Sequence, residues 1–233
     1  MPLPSRSSTT REPRRSDPES WRWLSAIYDA TAWYWDSSIH VLAYGRAYRK
    51  LLERLRDEGW YDGPVSRVLD CGIGAGVFSQ GFIATFGRDH RAYGVDLSSR
   101  LLERAAARLG RRGARVHLLR ADARALPLRD RAMDAAMCGL VLDHLADPSA
   151  ALGELARVCR AGVPVVIVTT RRHAPDLPFR LVFRYRWPRP GDVEQALSAA
   201  GFRDIRRYAM TGLARPFAIA FAGRAPDRPG DHG

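Results

Sequence analysis

Lysine is almost missing from this chain. Lys50 is the only one among 233 residues, and arginine supplies the other 36 of its 37 basic side chains. Against 25 acids that leaves a formal charge of +12, which by itself would point to a nucleic-acid partner. The one-sided use of arginine, beside abundant Ala, Gly and Pro, is instead the mark of a GC-rich genome, so the charge says little about a partner. Cysteine is scarce too. Cys71, Cys138 and Cys159 fall inside apolar segments without metal-ligand spacing, so they read as reduced core residues and no metal is expected. No apolar run reaches the ~18 residues of a membrane-spanning helix. The Pro/Ser/Arg-rich start lacks the apolar stretch of a secretory leader, and Glu12, Asp17 and Glu19 argue against a transit peptide. A cytoplasmic location is the expectation. No internal repeat is present.

What is there is ordered. Residues 1–19 carry no apolar periodicity and read as a disordered tail. Residues 20–60 read as an N-terminal helical lid. It is aromatic at Trp21, Trp23, Tyr28, Trp33, Tyr34 and Trp35, then amphipathic with Tyr44, Tyr48, Leu51, Leu52 and Leu55 on one face. From 61 to 223 short apolar strands alternate with helices. Strands are expected at 66–71, 91–96, 116–119, 133–140, 164–170, 202–208 and 214–223. Helices are expected at 75–86, 148–160 and 192–200, with another opening at Ser98 and Ser99. That alternation predicts an α/β domain with a mostly parallel sheet covered on both faces. Residues 224–233 read as a flexible tail.

The chemistry gathers at strand ends. In Val68-Leu69-Asp70-Cys71-Gly72-Ile73-Gly74-Ala75-Gly76 an apolar run ends in an acid and then in three alternating glycines. Glycine lets a backbone turn sharply and approach a ligand, and a strand turning this way into a helix aims the helix N–H groups at a nucleotide. A dinucleotide fold wants G-x-G-x-x-G, and Val77 stands where its third glycine belongs. Asp70 can hold the turn through backbone N–H groups or reach a ligand's amino group. Asp96, in Gly94-Val95-Asp96-Leu97-Ser98, lies 20 residues beyond Gly76, where an acid can accept from ribose hydroxyls. It could equally cap the next helix, a role Ser98 fits better. Asp122, in Arg120-Ala121-Asp122-Ala123, follows the third strand, placed for an adenine exocyclic amine. The segment Met133–Leu145 then brings His144 to the carboxyl end of the fourth strand, ahead of an Asp147-Pro148 helix start.

Alternating glycines behind a strand-terminal acid resemble motif I of class I S-adenosylmethionine (SAM) methyltransferases. The fourth-strand segment resembles the ubiquinone/menaquinone-biosynthesis type and its small-molecule relatives. There an acid opens the fourth strand, a Leu-His-His-like segment closes it, and an Asp-Pro-led helix runs to a Lys-Pro-Gly-Gly turn. Here Asp143 replaces the first histidine, and Ala161-Gly162-Val163-Pro164 replaces Pro-Gly-Gly. Upstream, Ala32-Trp33-Tyr34-Trp35-Asp36 followed by Gly45 is similar to the family's lead-in, with Trp35 at its tyrosine. The resemblance spans about residues 25–223.

It implies a Rossmann-like sheet of seven strands with an antiparallel C-terminal strand, SAM as cofactor and S-adenosylhomocysteine (SAH) as product. The implied cofactor shell is Asp70, Gly72, Gly74, Gly76, Asp96, Leu97, Asp122, Ala123 and Leu140. His144 is the first candidate for a general base, weighed against a packing or capping role; His40 and His173 are weaker candidates, and His90 and His117 read as structural. Substrate contacts are expected from Tyr28, Tyr34, Trp35 and Arg184. The arginines around Arg184 suit an anionic substrate group or an anionic membrane surface, and suit a solvated face equally. The implied reaction is O- or C-methylation of a small, largely apolar acceptor, quinone-, polyketide- or lipid-like. A nucleic-acid methyltransferase would want the Asn/Asp-Pro-Pro-Tyr signature or a proline before Cys138, and neither is present. A nicotinamide-dependent oxidoreductase would want glycine at Val77. A non-catalytic SAM-binding protein would keep the same motifs.

Overall fold

The computed structural model describes residues 29–30, 43–145, 147–171 and 189–227. In chain order the elements are α1 (Tyr44–Asp57), β1 (Arg67–Cys71), α2 (Val77–Phe86), β2 (Arg91–Asp96), α3 (Ser99–Gly110), β3 (Arg115–Arg120), β4 (Ala135–Gly139), α4 (Ser149–Val158), β5 (Pro164–Thr170), α5 (Pro190–Ala199), β6 (Arg203–Ala209) and β7 (Ala218–Arg224). The seven strands form one sheet in the order β3-β2-β1-β4-β5-β7-β6. Strands β1 to β5 pair in parallel, and β7 runs antiparallel to both β5 and β6. This is the Rossmann-like methyltransferase topology, with the antiparallel strand where the sequence places it.

Central strands buried on both faces explain the continuous apolar runs. On one face Val68, Met137, Val166, Val168 and Ala220 pack against α1 and α2 through Tyr48, Leu52, Leu55, Phe78 and Phe82. On the other, Leu69, Cys138, Val165, Ile167 and Phe221 pack against α4 and α5 through Leu152, Leu155 and Leu197. Helix α1 belongs to the segment assigned to a lid, yet its apolar face is part of the main core. Among the described residues no helix is long and apolar enough to cross a membrane.

Three boundaries differ from the sequence reading. Helix α2 starts at Val77, not 75, because Gly76 sits at φ 80° and cannot continue a right-handed helix. Strand β4 covers 135–139, not 133–140. Met133 makes only an isolated bridge to Cys159, Asp134 turns its carboxylate to the Ser66 and Arg67 N–H groups, and Leu140 swings to φ 59°. Strand β7 starts at Ala218, not 214, since Gly212–Ala214 form a single 3-10 turn.

Candidate functional site

Strand order reverses between β1 and β4, one leading to β2 and the other to β5. In open α/β sheets the crevice at such a point, at the carboxyl ends of the strands, is where ligands bind. An open cleft of about 1140 Å³, counting the space at its mouth, lies there. Its walls include Asp70, Gly72, Gly74, Asp96, Leu97, Asp122, Ala123, Leu140 and His144. Residues from four separate strand ends, 75 positions apart in sequence at the extremes, are thus brought to one place.

The glycine turn is held from below and left open above. The Gly72 and Ile73 N–H groups donate to the Val95 carbonyl at 2.7 and 3.0 Å, fastening the turn to β2. Gly72 has φ 72°, and a Cβ there would lie 2.0 Å from Val141 Cγ2, so only glycine fits. Gly76 lines no part of the cleft. At φ 80° a Cβ on it would meet Leu109 and the Ala105 Cα at 3.1–3.4 Å, so this glycine lets α2 and α3 approach each other. It was expected in the cofactor shell; its position is one of helix packing.

Asp96 ends β2, half-buried, with Oδ2 accepting the Gly74 N–H at 2.9 Å and Oδ1 accepting the Ser98 N–H at 2.9 Å. A carboxylate has about four lone-pair sites, so each oxygen keeps capacity for a ligand hydroxyl. Burial raises its pKa, the backbone N–H groups oppose that rise, and the neighbouring Asp29 charge adds to it. Asp29 comes from far upstream. Its carboxylate accepts the Ser98 hydroxyl and the Arg100 N–H, and its carbonyl accepts from Arg100. One described point of the N-terminal segment is therefore pinned to the start of α3, beside Asp96.

Asp70 is sealed from solvent and holds neither the Gly72 nor the Gly74 N–H. Its Oδ2 accepts the Ser79 N–H at 3.0 Å and the Ser79 hydroxyl at 2.6 Å, which ties the first turn of α2 to β1. Burial pushes its pKa up to about 7 against those two bonds, with Asp96 adding to the rise. Asp122 is engaged by its own neighbour. Arg124 Nε donates to both oxygens at 3.0 and 3.1 Å, Nη2 donates at 2.7 Å, and the Arg124 N–H donates at 2.9 Å. The carboxylate expected to meet an adenine amine thus already holds a guanidinium in the same cleft.

His144 closes a 3-10 turn, Leu142–His144, directly after β4. Its ring donates to the Leu140 carbonyl, and burial, the larger effect, depresses its pKa to about 3. The imidazole is therefore neutral at working pH and in the proton-accepting form. Asp143, which stands where the resembling family has a histidine, is a brace: its Oδ2 accepts the Thr170 N–H at 2.9 Å and the Thr170 hydroxyl at 2.7 Å. Tyr28, Tyr34, Trp35 and Arg184, and with them His40 and His173, lie outside the described residues. His90 packs edge-on against Phe82 and His117 stacks on Tyr93, both away from the cleft lining.

Sequence reasoning missed Tyr48, Phe78, Leu101 and Arg124, all of which line the cleft. The first three satisfy ordinary helical periodicity, so nothing in the pattern separates them from core. For Arg124 the signal was available: a cation two residues from an acid in a strand-end loop.

The comparisons with known proteins agree with this geometry. Residues 69–167 match the family described as "Methyltransferase domain". The chain is 30% identical over 146 residues to the O-methyltransferase cnsE of Penicillium expansum, covering 59% of this chain and 52% of that one. It is 31% identical over 160 residues to the demethylmenaquinone methyltransferase of Renibacterium salmoninarum, covering 69% and 63%. The fold is similar to that of Haemonchus contortus phosphoethanolamine N-methyltransferase 2, solved in complex with SAM. That match has a TM-score of 0.60 at 20% identity and covers 71% of this chain and 50% of that one. The chain spans about half the length, or less, of the first curated relatives it matches. It carries a class I SAM-dependent methyltransferase domain.

Proposed function

We propose that this protein transfers a methyl group from SAM to a small, largely apolar acceptor, at oxygen or carbon. The observation that carries the reading is the Gly72–Gly74 turn braced by Asp96 at the β1/β4 reversal, with Asp122 in the same cleft. The residues present suit the cofactor. The turn has no room for a Cβ at Gly72, and the carboxyl groups of Asp70, Asp96 and Asp122 face one cleft, which favours a cationic ligand.

Bound SAM supplies a methyl group already activated on a sulfonium, and SAH is what remains after a nucleophile takes it. Little chemistry is then left to the protein beyond holding two molecules in line, a contribution of roughly 7–11 kcal/mol. Asp96 accepts from the ribose hydroxyls, and Asp122 from the adenine amine. Asp70 faces the amino-acid end. His144, neutral and fixed by Leu140, accepts a proton from an acceptor hydroxyl or acidic carbon, an effect of about 10²–10⁴-fold where the nucleophile needs one. The likeness to O-methyltransferases and to a menaquinone-pathway enzyme favours phenolic, quinol-like or polyketide-like acceptors. Tyr28, Tyr34, Trp35 and Arg184 belong to the segments proposed to enclose them, with the arginines meeting an anionic group of the acceptor or of a membrane surface.

The test is transfer of labelled methyl from SAM to a panel of hydroxylated naphthoquinols, catechols and aromatic polyketides. Label in one of these, with SAH formed in equal amount, supports the reading. SAH binding without transfer to any class of acceptor, nucleic acids included, would leave a binding protein instead.

A further inference from the structure

Tyr48 is buried, 3% exposed, yet among the described residues no hydrogen bond to its hydroxyl is found. Buried tyrosine hydroxyls ordinarily have a partner. Tyr208 in this chain does: it accepts from Trp60 Nε1 at 2.9 Å and donates to Glu58 at 2.6 Å. The Tyr48 ring is rigidly placed, stacked on Phe78 with centroids 4.1 Å apart and planes at 8°. Its hydroxyl stands over Gly139, the last residue of β4, where a Cβ would come within 3.1 Å of both the hydroxyl and Phe78. Tyr48, Phe78 and Gly139 line the cleft together with Asp70, at the opposite side from Asp122.

We infer that the Tyr48 hydroxyl is a cofactor-binding group that donates a hydrogen bond to the α-carboxylate of SAM. This rests on the SAM reading of the cleft. If adenosine lies at Asp96 and Asp122, the amino-acid end reaches Asp70 and Tyr48. Asp70 offers an acceptor for the ammonium, and a carboxylate beside it needs a donor. Among the described lining residues Tyr48 carries the one side-chain hydroxyl; the His144 ring N–H is given to Leu140 and Arg124 is bound to Asp122. Burial first, then the nearby Tyr44, Asp70, Cys138 and Asp143, hold the phenol far above its ordinary pKa. It therefore keeps its proton and acts as a donor.

The experiment is a cycle of Tyr48→Phe against a ligand lacking the carboxylate. SAH and its decarboxylated analogue, S-adenosyl-3-thiopropylamine, are titrated calorimetrically into wild type and variant. Tyr48→Phe keeps the ring stack, and an unchanged thermal midpoint of the free protein confirms the fold. The expected result is SAH affinity lowered about tenfold or more, as for a hydrogen bond to a charged group, with the analogue's affinity changed less than about twofold. Equal losses for both ligands would assign Tyr48 to wall packing, and no loss for either would remove it from the site; each overturns the inference. Should the variant not fold, equal wild-type affinity for the two ligands overturns it as well. Failure of wild type to bind SAH at all would instead overturn the SAM reading.

Discussion

The Asp96 carboxylate and the Gly74 N–H meet at 2.9 Å, so the acid that ends β2 also sets the shape of the glycine turn after β1. The same carboxylate takes the Ser98 N–H on its other oxygen. One side chain therefore registers the two loops that form the cradle. Neither loop can shift without breaking a charge-assisted bond, each contributing about 1.5–3 kcal/mol. Turn and acid form a single unit.

Gly72→Ala should disable that unit. The residue would have to hold φ 72° and place a methyl 2.0 Å from Val141 Cγ2. Backbone strain of roughly 1–2 kcal/mol and overpacking of about 1–3 kcal/mol add. Urea unfolding should show a loss of roughly 2–5 kcal/mol, and SAH binding should disappear. A variant as stable as wild type would show that Val141 yields easily and that the turn is not under steric control.

Two buried groups should leave opposite marks on the pH dependence of stability. Asp70 has its pKa at about 7 in the folded protein against an ordinary 3.8. Between those values the folded chain holds a proton that the unfolded chain has released, so stability falls as pH rises from about 4 to about 7 and is level above. His144 is lowered from 6.5 to about 3. There the unfolded chain holds the extra proton, and stability is lost as pH falls from about 6.5 towards 3. Unfolding free energies of Asp70→Asn and His144→Gln, measured from pH 4 to 8 and subtracted from wild type, should slope in opposite directions. Parallel difference curves would contradict the placement of one of them.

The Asp122–Arg124 pair makes a third expectation. If the acid reads the adenine amine and the guanidinium only steadies it, Asp122→Ala should weaken SAH about tenfold and Arg124→Ala less than about threefold. Calorimetric titration of the two variants measures this. Equal losses would mean that the ion pair as a whole contacts the base.

The parts of this site that were legible in sequence are those where chemistry demands a residue type at a strand end: Gly72, Gly74, Asp96 and Asp122. Their spacing survives translation into structure because a parallel βαβ repeat delivers every carboxyl end to one side of the sheet. What stayed hidden depends on distance across the fold. Tyr48 obeys the same helical periodicity as Leu52, and only packing sets its hydroxyl over Gly139. Gly76 looks like its two neighbours, yet its partner is Leu109, on another helix. Asp143 appeared as a lost histidine, and its role emerged only when β5 brought Thr170 beside it.

The account's central claim is that Asp96 holds both the cradle and the cofactor. Its most direct test is calorimetric titration of SAH into wild type and Asp96→Ala, with thermal unfolding as the control for fold. The expected result is saturable binding by wild type, weakened by well over tenfold in the variant, since two charge-assisted bonds to ribose would be lost. Equal affinity in two folded proteins would contradict the claim and move the ribose away from β2.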